Sequence, residues 1–402
     1  MPASDFVVWC PNAGAETTLG AADYSYEFVL RQFVPALAQL GTVERVTDPR
    51  DLAPGGTGGP VLLSFAPPHR TPQAAGVRTV PVFAWEFDRL PDEMFGGNPD
   101  NDWRRPLARC GSAITHSRFA VEVTKRAMGE QFPVVSLPAP VWDSYTREPR
   151  LRPPSGGSLE IAGVVVDSRD SLPIGAVPAA GSTRIEWDGP LFTAVFNPED
   201  GRKNWRDLVR GFVFALGDER DATLLIKVVH SDPERGVGPI VADLRRLGGF
   251  HCRVVVVQSF LPESDYRALI DASTFAVNAS RGEGQCLPLM EFMSAGVPAV
   301  APDHTAMADY VSPANAFVVR STREPSSWPQ DPRLIFTCHR RAVDWESLVD
   351  AFRRAFDCAV TDPETYAAMS AAAVASTQRY CSAATVVEGL RQFLPRVPTG
   401  SP

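Results

Sequence analysis

The chain has 402 residues, of which 44% are hydrophobic and 21% are charged, and its formal net charge is −8 at pH 7. This composition is typical of globular proteins and excludes a largely disordered or fibrous chain, while the length allows two or three domains. A chain with 47 acidic and 39 basic residues is not expected to carry the broad basic surface that wraps a nucleic acid. We therefore expect no nucleic-acid partner, although a local basic site for a small anion stays open.

The 7 cysteines include no CxxC pair and the 6 histidines are scattered, so neither a zinc site nor a disulfide framework is predicted. Residues 1–10 lack the basic start of a secretion signal, and no apolar run approaches the ~18 residues that cross a bilayer. We expect a cytoplasmic protein with no metal site and no transmembrane segment. Peripheral contact with a membrane is compatible with this sequence. The sequence does not indicate an oligomeric state.

In the first 140 residues, short β-branched runs alternate with amphipathic stretches, which predicts βα units around a parallel sheet. The strands are predicted at 6–10, 61–65, 79–84, 113–116 and 133–137. A helix is predicted over about 21–40, and Ser117 is placed to cap another. Between 138 and 190 the chain is rich in Pro, Gly and Ser, with one apolar strand at 161–166, so we expect a domain boundary there.

From Leu191 onward the alternation of strands and helices resumes. The strands of this half are predicted at 191–196, 223–229, 253–257, 274–278 and 298–301. The helices are predicted at 204–216, 239–247, 263–271 and about 287–295. Residues 321–333 are polar and Pro-rich, which predicts a loop, and the Ala-rich stretch 344–394 predicts helices.

This order of elements predicts an α/β fold of two Rossmann-like domains whose parallel sheets face a central cleft. We place the first domain at 1–185, with a Pro/Gly-rich linker from about 142, and the second at 186–375. Residues 376–402 are expected to form a helical segment that returns toward the first domain.

The stretch SRGEGQCLPLMEFMSAGVPAVAP, residues 280–302, combines a strand end, a Gly-flanked turn and a helix start. The first amides of a helix have no intrahelical partner and favour an anion. Glu283 precedes this helix and Glu291 lies within it, eight positions later. A ligand along the helix can place hydroxyl groups against both carboxylates, and sugars and riboses present such hydroxyls.

A second stretch, FNPEDGRKNWRDL, residues 196–208, delivers Arg202 and Lys203 to the start of the next helix. Two adjacent cations there suit a diphosphate. Both stretches follow predicted strands of one domain, where open α/β sheets bind their ligands.

Taken in order, these motifs, together with SFLPESDYRALIDASTFAVNASRGEG and SAGVPAV, closely resemble the nucleotide-sugar domain of family 4 glycosyltransferases. That family has the GT-B fold, and the resemblance covers about residues 191–302. Over the first half the likeness is one of architecture only.

The resemblance implies a role for each matching residue. Arg202 and Lys203 would hold the diphosphate and stabilise it as it leaves, and Glu283 would contact the hydroxyls of the donor sugar. Glu291 would contact the ribose, and the backbone at Gly284, Gln285, Cys286 and Leu287 would approach the sugar and phosphate. The family retains the anomeric configuration and needs no metal, because protein cations and helix dipoles supply the electrostatics.

The chain departs from the family pattern at two places. Relatives commonly read Glu-Gly-Phe-Gly where this chain reads Glu-Gly-Gln-Cys, so a side chain at Cys286 is expected to crowd the approach to the sugar. Many relatives carry a functional His in the strand that matches PVFAWEFDRLP, where this chain has Trp85 and Glu86. The identity of the sugar and of the acceptor is therefore not implied by the motifs.

On the acceptor side the candidates are Gly14, Glu86 and His116. Gly14 would let its loop approach the donor phosphate or the acceptor, and an ordinary turn glycine is the alternative. Glu86 would bind an acceptor hydroxyl or act as a general base, against a capping or salt-bridged carboxylate. His116 would face the cleft, against a structural histidine bonded to the backbone. Lys227, inside an apolar strand, is interpreted as extending to the strand end rather than as a ligand residue.

The resemblance implies a retaining, metal-independent glycosyltransferase that moves a sugar from a nucleotide diphosphate sugar to a hydroxyl acceptor, with no other cofactor. The donor would bind the second domain and the acceptor the first. A UDP-sugar is the favoured donor, a GDP-sugar the next, and polysaccharide, lipid-linked glycan and natural-product acceptors stay open. A sugar-nucleotide epimerase or phosphorylase of the same fold, or a catalytically silent scaffold subunit, are the alternatives.

Overall fold

The computed structural model describes residues 5–11, 24–52, 59–74, 76–170, 172–173 and 175–396. Within these ranges the strands form two large sheets and one two-stranded hairpin. One apolar cluster fills the first domain and continues across the domain contact, and a second lies on the other face of the second sheet. The predicted architecture of two Rossmann-like α/β domains is confirmed.

The first sheet has six parallel strands in the order β2-β1-β3-β4-β5-β6. Its strands are β1 (Phe6–Trp9), β2 (Val43–Arg45), β3 (Val61–Phe65), β4 (Arg78–Phe83), β5 (Ala113–Thr115) and β6 (Val134–Ser136). Its helices are α1 (Tyr24–Leu37), α2 (Arg104–Cys110), α3 (Arg118–Met128) and the short α4 (Trp142–Tyr145). Ser117 caps α3 as predicted, its Oγ accepting a hydrogen bond from the Ala120 N–H at 3.1 Å.

The second sheet has eight strands in the order β14-β13-β12-β9-β10-β11-β7-β8. Its strands are β7 (Gly157–Asp167), β8 (Gly181–Trp187), β9 (Leu191–Phe196), β10 (Thr223–Val228), β11 (Arg253–Gln258), β12 (Phe275–Val277), β13 (Ala299–Ala301) and β14 (Ala316–Val318). All neighbours are parallel except β7, which is antiparallel to both β11 and β8. The strand order reverses between β9 and β12, which are parallel neighbours, so the loops after these two strands leave the sheet side by side.

Helices cover the second sheet and close the chain. They are α5 (Trp205–Leu216), α6 (Pro233–Gly236), α7 (Gly238–Arg246), α8 (Glu263–Ala272), α9 (Leu287–Ser294), α10 (Trp345–Thr361), α11 (Pro363–Cys381) and α12 (Ala383–Phe393). The end of the chain crosses back to the first domain, where α12 packs against α1 and the hydroxyl of Tyr380 donates to the carbonyl of His116. None of the described helices has the length and apolar character needed to cross a membrane.

The β7–β8 hairpin corrects the boundary that the sequence places at residue 186. β7 pairs with β11 and β8 pairs with β7, so both strands belong to the second sheet and not to the first domain. The sequence pattern does not predict β8, because the strand is polar and largely exposed at the edge of the sheet. Edge strands need little apolar character, since only one side is paired and much of the surface faces water.

The predicted loop at 321–333 is also corrected. Residues 321–327 form β15 (Ser321–Ser327), which pairs antiparallel with β16 (Thr337–Val343). The hairpin reaches the first domain, where Arg323 pairs with Asp88 and Arg333 pairs with Glu93. Trp328, at its far end, lies 5.8 Å from both Trp85 and Trp103, measured between ring centroids. Contacts with the other domain therefore stabilise a strand that its own polar sequence does not predict.

Candidate functional site

The loops that follow β9 and β12 form the centre of the site. The first loop carries Arg202 and Lys203 in a short 3-10 turn before α5, and the second carries residues 278–286 before α9. A hydrogen bond from the Arg281 N–H to the Arg202 carbonyl, 2.7 Å long, ties the two loops together. The strand reversal therefore brings together two motifs that lie some 80 residues apart in the chain, and Lys203 and Glu283 meet there.

Arg202 is held by carboxylates from both domains. Its Nη2 donates to Oδ2 of Asp200 at 2.6 Å, and its Nη1 lies 2.8 Å from Oε1 of Glu86, at the end of the first domain's β4. Burial opposes the charged form of the guanidinium, but Glu86 and Asp200 outweigh it and raise the pKa of Arg202. Arg202 is therefore a permanent cation at the contact between the domains.

Lys203 and Glu283 form a direct buried ion pair. The Nζ of Lys203 lies 2.7 Å from Oε1 and 2.9 Å from Oε2 of Glu283, whose side chain is 5% exposed. Burial alone would raise the pKa of Glu283, but Lys203 and then Arg202 hold it below its ordinary value. Burial would likewise lower the pKa of Lys203, but Glu283 raises it. Both groups are therefore charged at neutral pH.

Three neighbours fix the position of Glu283. The Ser280 hydroxyl donates to Oε1 at 2.6 Å, and the Asn278 amide lies 3.4 Å from the same atom. The backbone N–H of Glu283 donates to Oγ1 of Thr305 at 3.0 Å. Thr305 has a φ of +52°, an unfavourable conformation for a β-branched residue. Strained residues of this kind concentrate at functional sites, where the surrounding structure holds them.

Cys286 is the N-cap of α9 and adopts a left-handed conformation, with φ +63° and ψ +64°. This backbone geometry favours glycine, the residue that the family resemblance predicts at this position. The thiol is buried and lies 3.1 Å from the Asn278 amide, beside Glu283, so it fills space that a glycine would leave free. Burial raises the pKa of the Cys286 thiol, which disfavours a nucleophilic role.

The residues on either side of Cys286 have different surroundings. The side-chain oxygen of Gln285 accepts a hydrogen bond from the backbone of Ala139 at 2.6 Å, so its carbonyl end is engaged with the segment that follows β6 of the first domain. Leu287 is half-buried at the first position of α9. Gly284 packs so closely on the first domain that a Cβ there would lie 2.7 Å from the Cβ of Ala84. A glycine at 284 is therefore required by the contact between the domains.

Glu291 lies one helical turn into α9 and is set apart from the Lys203–Glu283 pair. Its Oε2 accepts a hydrogen bond from the hydroxyl of Tyr266, on α8, at 2.6 Å. Burial raises the pKa of Glu291 to about 7, and the Tyr266 hydrogen bond and the charge of Lys227 only partly oppose this. Glu291 is thus a carboxyl group whose charge changes near neutral pH.

The three residues predicted on the acceptor side do not share one location. Glu86 reaches the cleft and binds Arg202, and burial raises its pKa. His116 does not face the cleft: it is fully buried, its Nδ1 lies 2.8 Å from the Leu137 carbonyl, and burial lowers its pKa to about 4. It is a neutral core residue packed against Phe33. Gly14 lies outside the described residues.

Sequence reasoning missed the residues that position the charged groups. Asp200 precedes Arg202 by two positions and Ser280 precedes Glu283 by three, and such short spacings are a local signal for side-chain to loop hydrogen bonds. Thr305 and Tyr266 carry no such signal, because they approach the site from other elements.

The comparisons with known proteins agree with this geometry. Residues 195–330 match the family of glycosyl transferases group 1. No curated protein matches the chain. Among solved structures, HepE of Anabaena in complex with UDP is 13% identical with a TM-score of 0.57, and the match covers 97% of this chain and 100% of HepE. Other HepE structures contain UDP-glucose, or UDP and glucose.

Two further structures show the same architecture. Sucrose-phosphate synthase of Thermosynechococcus elongatus is 14% identical with a TM-score of 0.57, over 97% of this chain and 98% of the synthase. TarM of S. aureus, in complex with fondaparinux, alpha-GlcNAc-glycerol and UDP, is 8% identical with a TM-score of 0.54. That match covers 83% of this chain but 55% of TarM, so the chain spans about half of TarM's length. The chain therefore has the GT-B fold, and its residues 195–330 match the model of the glycosyl transferases group 1 family.

Proposed function

We propose that this protein is a retaining, metal-independent glycosyltransferase that moves a sugar from a UDP-sugar to a hydroxyl group of a glycan or natural product, in a pathway such as polysaccharide biosynthesis. The observation that carries the proposal is the placement of Arg202 and Lys203 beside Glu283 at the strand reversal of the second sheet. Open α/β sheets bind ligands at such a point. The family match of residues 195–330 supports a glycosyl transfer there.

Arg202 and Lys203 would bind the diphosphate of the donor. In this structure Asp200 and Glu86 neutralise Arg202, and Glu283 neutralises Lys203. A bound diphosphate would take over both cations, and Glu283 would turn to the sugar hydroxyls. Fixed cations in a site with little water stabilise a leaving diphosphate without reorganisation, which is the electrostatic work that a metal ion performs in other transferases.

Retention of configuration would require the acceptor to attack the face that the diphosphate leaves. The bond between the anomeric carbon and the phosphate oxygen breaks, the bond to the acceptor oxygen forms on the same face, and the acceptor proton passes to the leaving phosphate oxygen. Glu86 lies at the end of β4, on the first-domain side of Arg202. We place the acceptor hydroxyl near this carboxylate, which would orient it by hydrogen bonding.

A UDP-sugar is the donor that the comparisons favour, because structures of HepE and TarM contain UDP. The GDP-sugar that we considered second has no such support. All 7 cysteines are free and buried, which suits a reducing compartment, and we propose the cytoplasm.

Calorimetric titration with UDP, GDP, ADP and dTDP, in buffer containing a metal chelator, tests the donor site. We expect selective binding of UDP that Lys203→Ala and Glu291→Ala weaken, while Lys125→Ala, on α3 of the first domain, leaves it unchanged. Absence of binding to any nucleotide by the folded protein would contradict the proposal and favour a silent scaffold.

Product analysis with UDP-sugars then separates transfer from the two other reactions of this fold. Consumption of donor without an acceptor and with a changed sugar would indicate an epimerase, and a strict need for inorganic phosphate would indicate a phosphorylase. An α-linked product from an α-linked donor would establish retention.

A further inference from the structure

Lys227 is a buried lysine that has no polar partner in the described part of the chain. It lies on β10, in the middle of the second sheet, and is 8% exposed. No hydrogen bond or direct ion pair reaches it there. A lysine that is mostly buried and has no hydrogen-bond or ion-pair partner is unfavourable, so proteins seldom keep one unless a ligand or a nearby carboxylate compensates it.

The register of the sheet shows where the side chain of Lys227 lies. Its neighbours across the sheet are Val195 on β9 and Val257 on β11. Leu225, two positions earlier and thus on the same face, belongs to the apolar cluster that includes Ile270 of α8 and Leu289 of α9. Lys227 therefore lies under α8 and α9, near the carboxyl end of β10.

Glu291 and Tyr266 occupy this same face. Their hydrogen bond, 2.6 Å long, joins α9 to α8 above the sheet. Lys227 and Glu291 influence each other electrostatically, because Glu291 raises the pKa of Lys227 while burial lowers it to about 8. No ion pair joins the two groups among the described residues, so neither neutralises the other by direct contact.

We propose that Lys227 is a nucleotide-binding residue, and that its ammonium and the Glu291 carboxylate together bind the ribose of a ribonucleoside diphosphate. The ammonium would donate a hydrogen bond to a ribose hydroxyl oxygen, and the carboxylate would accept hydrogen bonds from ribose hydroxyls. This inference rests on the proposed donor site and extends it to a residue outside the motifs. It also reverses our interpretation of Lys227 as a lysine that only extends to the strand end.

The charged and titratable groups around Glu291 come from several elements. They are Lys227 on β10, Tyr266 and Arg267 on α8, Tyr145 on α4, and Cys286 at the start of α9. Tyr145, Tyr266 and Cys286 have raised pKa values and stay neutral near pH 7 to 8. Glu291 and Lys227 are therefore the members of this group that change charge in that range.

The test is the affinity for UDP from about pH 6 to 9.5, measured for the wild type, Lys227→Met, Lys227→Arg and Glu291→Gln. Expressing each variant relative to the wild type at the same pH cancels the titration of UDP itself. We expect Lys227→Met to weaken binding about tenfold near pH 7.5. As Lys227 loses its proton above about pH 8, the wild type should lose this advantage, so the ratio of the wild-type affinity to the Lys227→Met affinity should fall toward one.

Lys227→Arg separates a binding role from a packing role. Arginine keeps its charge at every pH of the experiment, so this variant should hold most of the affinity and lack the alkaline decline. Lys125→Met is the matched control and should behave as the wild type.

The outcomes distinguish this inference from the proposed function. If Lys227→Met binds UDP as the wild type does, with the same alkaline decline, while Lys203→Ala still weakens binding, the role of Lys227 is wrong and the donor site stands. If the folded wild type binds no UDP at any pH, both fail.

Discussion

The site contains two lysine–glutamate sets with opposite electrostatics. Lys203 and Glu283 touch at 2.7 Å, and each holds the other in its charged form. Lys227 and Glu291 lie in the same region without a direct ion pair between them, and burial moves both toward the neutral form, with pKa values of about 8 and about 7. The same residue types therefore differ because direct pairing compensates desolvation in one set and not in the other.

The two sets are therefore expected to respond differently to a ligand. The first set is satisfied within the protein, so a ligand must compete with existing contacts to reach Lys203. The second set forms no direct pair, so a ligand with hydroxyl groups would offset the desolvation of its two charged groups. Binding sites that store such a cost commonly reduce the stability of the free protein.

The largest expected effect on activity comes from disrupting the first set, Lys203 and Glu283. Lys203→Met should lower the rate of sugar transfer by about 10²–10³-fold, because it removes a cation that stabilises the leaving diphosphate. Steady-state kinetics with a UDP-sugar would measure this. Pairing it with Glu283→Gln provides the control: the double variant removes the uncompensated carboxylate and should recover thermal stability without recovering activity. Recovery of both would show that Lys203 acts only in folding.

Breaking the second set should stabilise the ligand-free protein. The pKa of Glu291 rises from 4.5 in the unfolded chain to about 7 in the folded one. The folded state therefore binds this proton more tightly, and the resulting contribution to the unfolding free energy is lost as the pH rises from 4.5 to about 7. The pKa of Lys227 falls from 10.5 to about 8, so stability is lower below pH 8 and is regained as pH rises toward 10.5. Near pH 7.5 both groups cost stability.

Glu291→Gln and Lys227→Met should therefore each raise the unfolding free energy at pH 7.5, by about 1–3 kcal/mol. Thermal and urea unfolding without nucleotide would measure the change, and Glu283→Gln, which loses a favourable pair, should move the stability in the other direction. A fall in stability for both second-set variants would show that the groups are compensated in the empty site.

Glu86 of the first domain pairs with Arg202, the second cation of the proposed donor site. Glu86→Gln should strengthen UDP binding by a few-fold, about 1 kcal/mol, because it removes a carboxylate that competes with the diphosphate for Arg202. Asp88→Asn is the matched control, since Asp88 pairs with Arg323 and His339 of the hairpin. Calorimetry with UDP would measure both, and weaker binding by Glu86→Gln would assign that residue to the nucleotide instead.

The smallest effect is expected at Cys286, between the two sets. Cys286→Gly should be about 1 kcal/mol more stable than Cys286→Ala, because only glycine relieves the positive φ of +63°. Urea unfolding of the two variants, which both lose the thiol, isolates the backbone effect. Equal stabilities would mean that the loop relaxes in both variants.

Much of the site follows from local sequence. Arg202, Lys203 and Glu283 lie directly after strands whose apolar runs are continuous, and strand ends of a parallel sheet share one edge. Their meeting could therefore be predicted once the strands were recognised. His116 follows the same rule in the first domain, yet it is buried under the returning end of the chain, where Tyr380 binds its carbonyl.

The sequence by itself determined the alternation of strands and helices, and hence the two α/β domains, because apolar periodicity acts over short distances along the chain. It also determined which loops carry the cations and the carboxylates. Tertiary structure alone decided the pairing of Glu86 with Arg202, the polar hairpin from 321 to 343, and the burial of Lys227. These depend on elements far apart in the chain, and the charge state of a buried group is set by what surrounds it in space.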